Sequence, residues 1–100
     1  MYGIEWSEEA KRDLRRMSTF ARGPVIAAVE QLRIQATSAT RNRKALREPL
    51  EDLPEATWEI RIGDYRGLYR IRDEQTVRIL RVILKGTDTT SEAVARGRKP

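Results

Sequence analysis

The side chains able to do chemistry in this 100-residue chain are few in kind: twenty lysines and arginines, fifteen carboxylates, and neither histidine nor cysteine. Without histidine the usual general base at neutral pH and the commonest metal ligand are both missing. Without cysteine there is no disulfide and no thiolate nucleophile. What remains is cationic, and much of it is arginine at close spacing: Arg61, Arg66, Arg70 and Arg81 recur through the second half. A guanidinium presents planar donors that bind two phosphate oxygens at once, and it stays charged at any physiological pH. The formal charge of +5 and a pI near 10.1 point the same way, toward polyanions such as nucleic acid or acidic protein segments. A basic domain with no such partner carries the same charge, so the positions of the arginines must decide.

Those positions depend on strands. Trp58, Ile60 and Ile62 alternate with Thr57, Glu59 and Arg61, then Gly63-Asp64 gives a turn before Tyr65 to Arg72. With Gly63 and Asp64 central, Ile62 pairs with Tyr65, Arg61 with Arg66, Ile60 with Gly67 and Trp58 with Tyr69. One face then holds Trp58, Ile60, Ile62, Tyr65, Tyr69 and Ile71, and the other Glu59, Arg61, Arg66, Leu68 and Arg70. A second turn at Asp73-Glu74-Gln75, with Glu74 and Gln75 central, brings Arg81 and Ile83 beside the arginines on the strand from Val77 to Leu84. Arg61 opposite Arg66 is unfavourable, where an opposite-charge pair would contribute roughly 0.2–1 kcal/mol. A bound anion reverses that sign. Glu59 offers the other remedy, an ion pair with a nearby arginine.

The first half supplies the support. Ile4 and Trp6 end an extended segment, and Ser7 followed by Glu8 and Glu9 reads as an N-cap with acids at the positive end of a helix dipole. Ala10, Leu14 and Met17 mark its buried face. Gly23-Pro24 is expected to break the chain and restart it as a second helix, with Val25, Ala28, Val29, Leu32 and Ala36 as the apolar stripe. From Thr37 to Ala56 the periodicity fails, leaving one long connection with Arg41, Arg43, Lys44, Arg47, Pro49 and Pro54. Connections this long are often functional. Its basic cluster suits RNA binding or a solvated loop, and Leu46, Leu50 and Leu53 suggest that part of it packs down or forms a helical turn. After Lys85-Gly86, Thr87-Asp88-Thr89-Thr90-Ser91 reads as a capping stretch for a short helix through Ala95, with Gly97 as a stop and Arg98-Lys99-Pro100 as a tail.

The expected architecture is a single α+β domain over residues 1–100, β-α-α-β-β-β, with two N-terminal helices on one face of a mainly antiparallel twisted sheet and a short C-terminal helix. No apolar run approaches the roughly 20 residues a bilayer crossing needs, and the start Met1-Tyr2-Gly3-Ile4-Glu5-Trp6 has no secretory pattern, so a cytoplasmic protein is expected. No repeat or phosphate-cradling glycine motif is present, and no metal or other cofactor is expected.

In order and spacing the chain resembles the RelE/ParE superfamily of bacterial toxin–antitoxin toxins, particularly its RelE and YoeB branch. The resemblance covers nearly the whole chain. It rests on Ile4-Glu5-Trp6-Ser7-Glu8-Glu9-Ala10, the helix pair, Glu48-Pro49-Leu50, Trp58-Glu59-Ile60-Arg61, Tyr65-Arg66-Gly67-Leu68-Tyr69, Arg78-Ile79-Leu80-Arg81-Val82 and Ser91-Glu92-Ala93-Val94. It implies a toxin that cuts messenger RNA on the ribosome without a metal, restrained by a cognate antitoxin and able to enter higher-order toxin–antitoxin assemblies. It implies roles for residues as well: Arg61 and Arg66 at phosphate-binding positions, Glu48 at that of a glutamate base, and Lys85 at a basic position ending the last strand. Arg41, Arg43, Lys44, Arg47, Arg70 and Arg81 complete the RNA-binding set. Three departures stand out. Leu84 is near a usual histidine place, Thr90 near a usual tyrosine place, and Glu59 replaces a basic residue of RelE itself. Two other readings fit these departures: a ParE-like inhibitor of DNA gyrase, and a nucleic-acid- or antitoxin-binding relic without toxicity.

Overall fold

The computed structural model describes residues 1–86 and 89–97. In chain order the elements are β1 (Gly3–Trp6), α1 (Glu8–Arg16), α2 (Thr19–Glu30), α3 (Leu32–Gln35), β2 (Arg43–Ala45), β3 (Trp58–Ile62), β4 (Tyr65–Arg72), β5 (Thr76–Leu84) and α4 (Thr90–Gly97). The sheet runs β1-β5-β4-β3-β2, antiparallel throughout except that β1 lies parallel to β5. This is the α+β arrangement the sequence implies, with one strand more.

Local signals explain where the helices begin. Ser7 is extended, and its hydroxyl accepts from Ala10 N–H at 3.0 Å while donating to the Leu80 carbonyl at 2.8 Å. One side chain thus caps α1 and ties it to β5. Ser18 caps α2 in the same way, accepting from Ala21 N–H at 3.1 Å. The expected break at Gly23-Pro24 is therefore corrected: the chain turns at Met17-Ser18, and α2 runs through both residues, with Pro24 inside it. A serine cap outweighed the proline, and Pro24 stands on the exposed side of the helix, where water can satisfy the carbonyl left unpaired.

Ala10, Met17, Val25, Val29, Leu32 and Ala36 from the helices close over Ile60, Tyr69, Val77, Ile79 and Val82 of the sheet. Burial pushes the Tyr69 phenol well above its ordinary pKa, and its hydroxyl donates to the Ala36 carbonyl at 2.7 Å. Trp58 stacks on it, ring centroids 6.2 Å apart. Gly67 is required between these elements, because a Cβ there would stand 2.8 Å from Ile60 Cγ2.

The β3–β4 register is the expected one at every pair, Arg61 opposite Arg66 included. The turn into β5 differs. Asp73, Glu74 and Gln75 form a three-residue loop between paired Arg72 and Thr76, with Asp73 and Glu74 at φ 53° and 60°. Leu68 still faces Arg81, because the unpaired Leu80 makes a bulge that absorbs the extra step. The long connection is also corrected, since it contains β2, paired with β3. Leu50 and Leu53 pack down as anticipated, bridging each other rather than forming a helical turn. With Ala56, Leu68, Ile83, Ala93 and Val94 they build a second apolar cluster on the sheet's outer face. Thr89 and Glu92 cap α4 reciprocally, the threonine hydroxyl accepting from Glu92 N–H at 3.1 Å and the carboxylate from Thr89 N–H at 2.9 Å. Thr87, Asp88 and the tail Arg98 to Pro100 lie outside the described residues.

Candidate nucleic-acid interface

Arg61 and Arg66 meet on the outer face at the β3–β4 turn end of the sheet, and they differ in how free they are. Arg61 is exposed and has no hydrogen-bond or ion-pair partner for its guanidinium among the described residues. Its backbone N–H donates to the Asn42 carbonyl at 2.7 Å, which fixes it beside the start of β2. Arg66 is buried, at 8% exposure. Its Nη1 donates to the Gly63 carbonyl at 2.9 Å and the Tyr65 carbonyl at 2.8 Å. Its Nε stands 3.8 Å from Glu59 Oε1, the ion pair anticipated for that glutamate.

Glu59 is itself buried at 6% exposure. Its Oε1 accepts from the Thr90 hydroxyl at 2.5 Å, and its Oε2 lies 3.6 Å from the exposed Lys44 ammonium. Arg41, Lys44, Glu59 and Arg61 line a shallow groove with Thr40 and Asn42. Strand alternation already put Glu59 on this face. Thr90 carried no signal for its contact, because α4 reaches Glu59 across 31 residues of chain.

The other candidates fall in several places. Lys85 is half-buried at the same end as Arg66, its N–H donating to the Asp64 carbonyl at 2.9 Å, and it lines a neighbouring cleft with Arg16, Tyr65 and Arg96. Arg47 and Glu48 are exposed in the connection between β2 and β3, and no contact ties Glu48 to Arg61 or Arg66. Arg70 is half-buried, four residues along β4 from Arg66 and so roughly 13 Å away. It lies in a separate groove with Arg72, Arg78 and Leu80.

Two of the expected RNA-binding arginines have structural partners instead. Arg43 is buried at 6% exposure, its guanidinium donating to the carbonyls of Gln35 (2.7 Å) and Ser38 (3.0 Å) and to Gln35 Oε1 (2.9 Å), where α3 ends. The sequence placed it in a loop, but the β2–β3 pairing turns it toward the helices. Arg81 is directed to α1 beside the bulge rather than to the arginine face, and it donates to both carboxylate oxygens of Asp13, at 2.8 and 3.0 Å. The same carboxylate accepts from Val82 N–H at 2.9 Å. These hydrogen bonds hold the Arg81 guanidinium still more firmly in its charged form.

The outer face therefore carries a cationic patch of Arg61, Lys44 and Arg41, backed by Arg66 and by the buried carboxylate of Glu59. A model of the ParE toxin of type II toxin–antitoxin systems matches residues 4–88. The chain belongs to this family. Among solved structures, this ParE-family toxin is similar to a chain of the toxin–antitoxin complex RelBE2 from Mycobacterium tuberculosis, at 34% identity over 81% of its length and 94% of that chain, with a TM-score of 0.64. It also shares its fold with the isolated RelE toxin of E. coli, at 23% identity over 96% and 98% of the two chains and a TM-score of 0.63. The archaeal RelE–RelB complex from Pyrococcus horikoshii gives 16% identity over 86% and 97%, with a TM-score of 0.67. No curated protein matches by sequence. Among the described residues of the toxin, no helix is long and apolar enough to cross a membrane.

Proposed function

We propose that this toxin arrests translation by cutting messenger RNA on the ribosome, in the cytoplasm, and that a cognate antitoxin restrains it, within higher-order assemblies as well. The observation that carries the reading is Arg61, exposed and without a partner among the described residues, placed directly across from Arg66. A phosphate between them removes the repulsion and satisfies donors that the fold leaves open. The antitoxin is inferred from relatives solved in complex with theirs.

The reaction requires no group from outside the RNA and the protein. The 2′-hydroxyl loses its proton to the Glu48 carboxylate, and its oxygen bonds to the adjacent phosphorus. The bond to the 5′-oxygen breaks, with the Lys85 ammonium supplying the proton to that leaving group. The products are a 2′,3′-cyclic phosphate and a 5′-hydroxyl end. Arg61 and Arg66 stabilise the charge that accumulates on the phosphoryl oxygens. Glu48 sits in a connection between strands, so its approach to the RNA depends on how that connection settles once substrate is bound.

The test is to induce the toxin in bacteria, map messenger RNA ends on ribosomes, and assay gyrase supercoiling in parallel. Cuts in phase with codons are expected, falling roughly hundred- to thousandfold in Arg66→Ala or Arg61→Ala. Growth arrest with intact RNA and blocked supercoiling would replace this reading with gyrase inhibition. Harmless expression would leave a nucleic-acid- or antitoxin-binding protein without toxicity.

A further inference from the structure

Glu59 and Thr90 play no part in the reaction just described, yet they are joined to its central arginine. Glu59 lies on β3, and its carboxylate has partners from three other elements: Lys44 of β2, Arg66 of β4 and Thr90 of α4. A carboxylate with 7% side-chain exposure is costly to desolvate unless it is surrounded by donors and cations, and here it is. Its effect on Arg66 is directional. Nη1 donates hydrogen bonds to the Gly63 and Tyr65 carbonyls and Nε stands 3.8 Å from Glu59 Oε1, an ion pair without a hydrogen bond, so Nη2 is the nitrogen left without a partner among the described residues.

We propose that Glu59, held by the Thr90 hydroxyl, is a positioning residue that determines which edge of the Arg66 guanidinium meets the RNA phosphate. The proposal rests on the ribonuclease reading above and adds to it a residue pair that never touches substrate. A guanidinium fixed in advance loses less rotamer freedom when it binds an anion. Its orientation matters because a displacement of about 1 Å at a reacting centre can cost a hundredfold in rate. Glu59 also exerts an opposing effect, since its negative charge weakens the attraction between the patch and RNA. Positioning and attraction therefore pull in opposite directions, and that opposition can be measured.

Three variants of the full chain separate these effects: Glu59→Gln, Thr90→Val and Thr90→Ser. Cleavage of messenger RNA on programmed ribosomes gives kcat and KM. The exchange rate of the Arg66 Nε proton, followed by NMR with and without a 2′-deoxy oligonucleotide that cannot be cut, gives the orientation independently of activity. Glu59→Gln is expected to lower KM severalfold while lowering kcat roughly hundredfold. Thr90→Val should lower kcat with KM unchanged, and Thr90→Ser, which keeps the hydroxyl, should behave as the parent. Exchange of the Nε proton should quicken in Glu59→Gln and Thr90→Val alone. Unchanged exchange in both of those variants overturns the proposal, as does a parallel loss in kcat and KM that tracks thermal stability. If the parent toxin cuts no RNA, the ribonuclease reading falls; the proposal then stands only if the deoxy oligonucleotide slows Nε exchange in the parent and not in Glu59→Gln.

Discussion

Asp13 has the most demanding position of any single residue. Its two oxygens hold the Arg81 guanidinium and the Val82 N–H, and both Asp13 and Arg81 are almost fully buried. Removing one partner of a buried pair leaves the other charge uncompensated, which costs about 3–5 kcal/mol. Asp13→Ala is therefore expected to lower the urea unfolding midpoint by that equivalent, whereas Asp13→Leu with Arg81→Met should restore only part of it, since apolar replacement of a buried ion pair is often neutral or better but the Val82 N–H loses its acceptor. The pair also marks a limit of sequence reading. Alternation along the strand puts Arg81 with Arg66 and Arg70, and the bulge at Leu80 keeps that register opposite Leu68, but Asp13 draws the guanidinium to α1, and nothing in the strand announces a partner 68 residues away. Arg61, Arg66 and Glu59 were legible because a tight Gly63-Asp64 turn fixes the register from one end of the hairpin, and Gly63 at φ 58° supplies the conformation that such a turn needs.

At the level of elements, caps proved better guides than breakers. Ser7 and Ser18 begin their helices as a serine N-cap should, while Pro24, whose Gly-Pro pair signals a restart, lies within α2. A proline in a helix interior removes one hydrogen bond and crowds the carbonyl four residues back, here that of the exposed Phe20, at a cost of about 3 kcal/mol. Pro24→Ala should therefore raise the thermal midpoint, by the equivalent of about 1–3 kcal/mol, with no change in RNA binding. A lower midpoint would mean that the ring's packing outweighs the bond it removes. The strand β2 was hidden for a different reason. Three residues are too few for a periodic signal, and Arg43-Lys44-Ala45 has little strand propensity of its own; pairing with Trp58 to Ile60 creates it. The outer apolar layer was legible only in part: Leu50 and Leu53 signal that the connection packs down, but their partners Ala93 and Val94 come from a segment that only the tertiary fold brings to them.

For the whole molecule the decisive quantity is charge and where it lies. A net +5 spread evenly would give weak, unspecific attraction, but Arg41, Lys44 and Arg61 are gathered in one groove. Binding to single-stranded RNA should weaken with salt, with a slope of log affinity against log salt concentration near −2 if about three phosphates are neutralised at 0.7 each. Fluorescence anisotropy over a salt series checks this, and a slope near zero would remove nucleic acid from consideration altogether. The topology carries a consequence of another kind. β1 forms its ladder with β5, and Glu5 meets Arg78 across 73 residues of chain. At synthesis rates of 5–20 residues per second, that gap separates the two strands by on the order of 4–15 s. Until β5 emerges, β1 has no neighbouring strand, the helices lack the Val77, Ile79 and Val82 part of the core, and the hairpin that brings Arg61 to Arg66 lacks its backing. The sheet face that carries Arg61 and Arg66 is therefore completed only once residues 76–84 have been made, and a nascent chain that stops short of them does not present it.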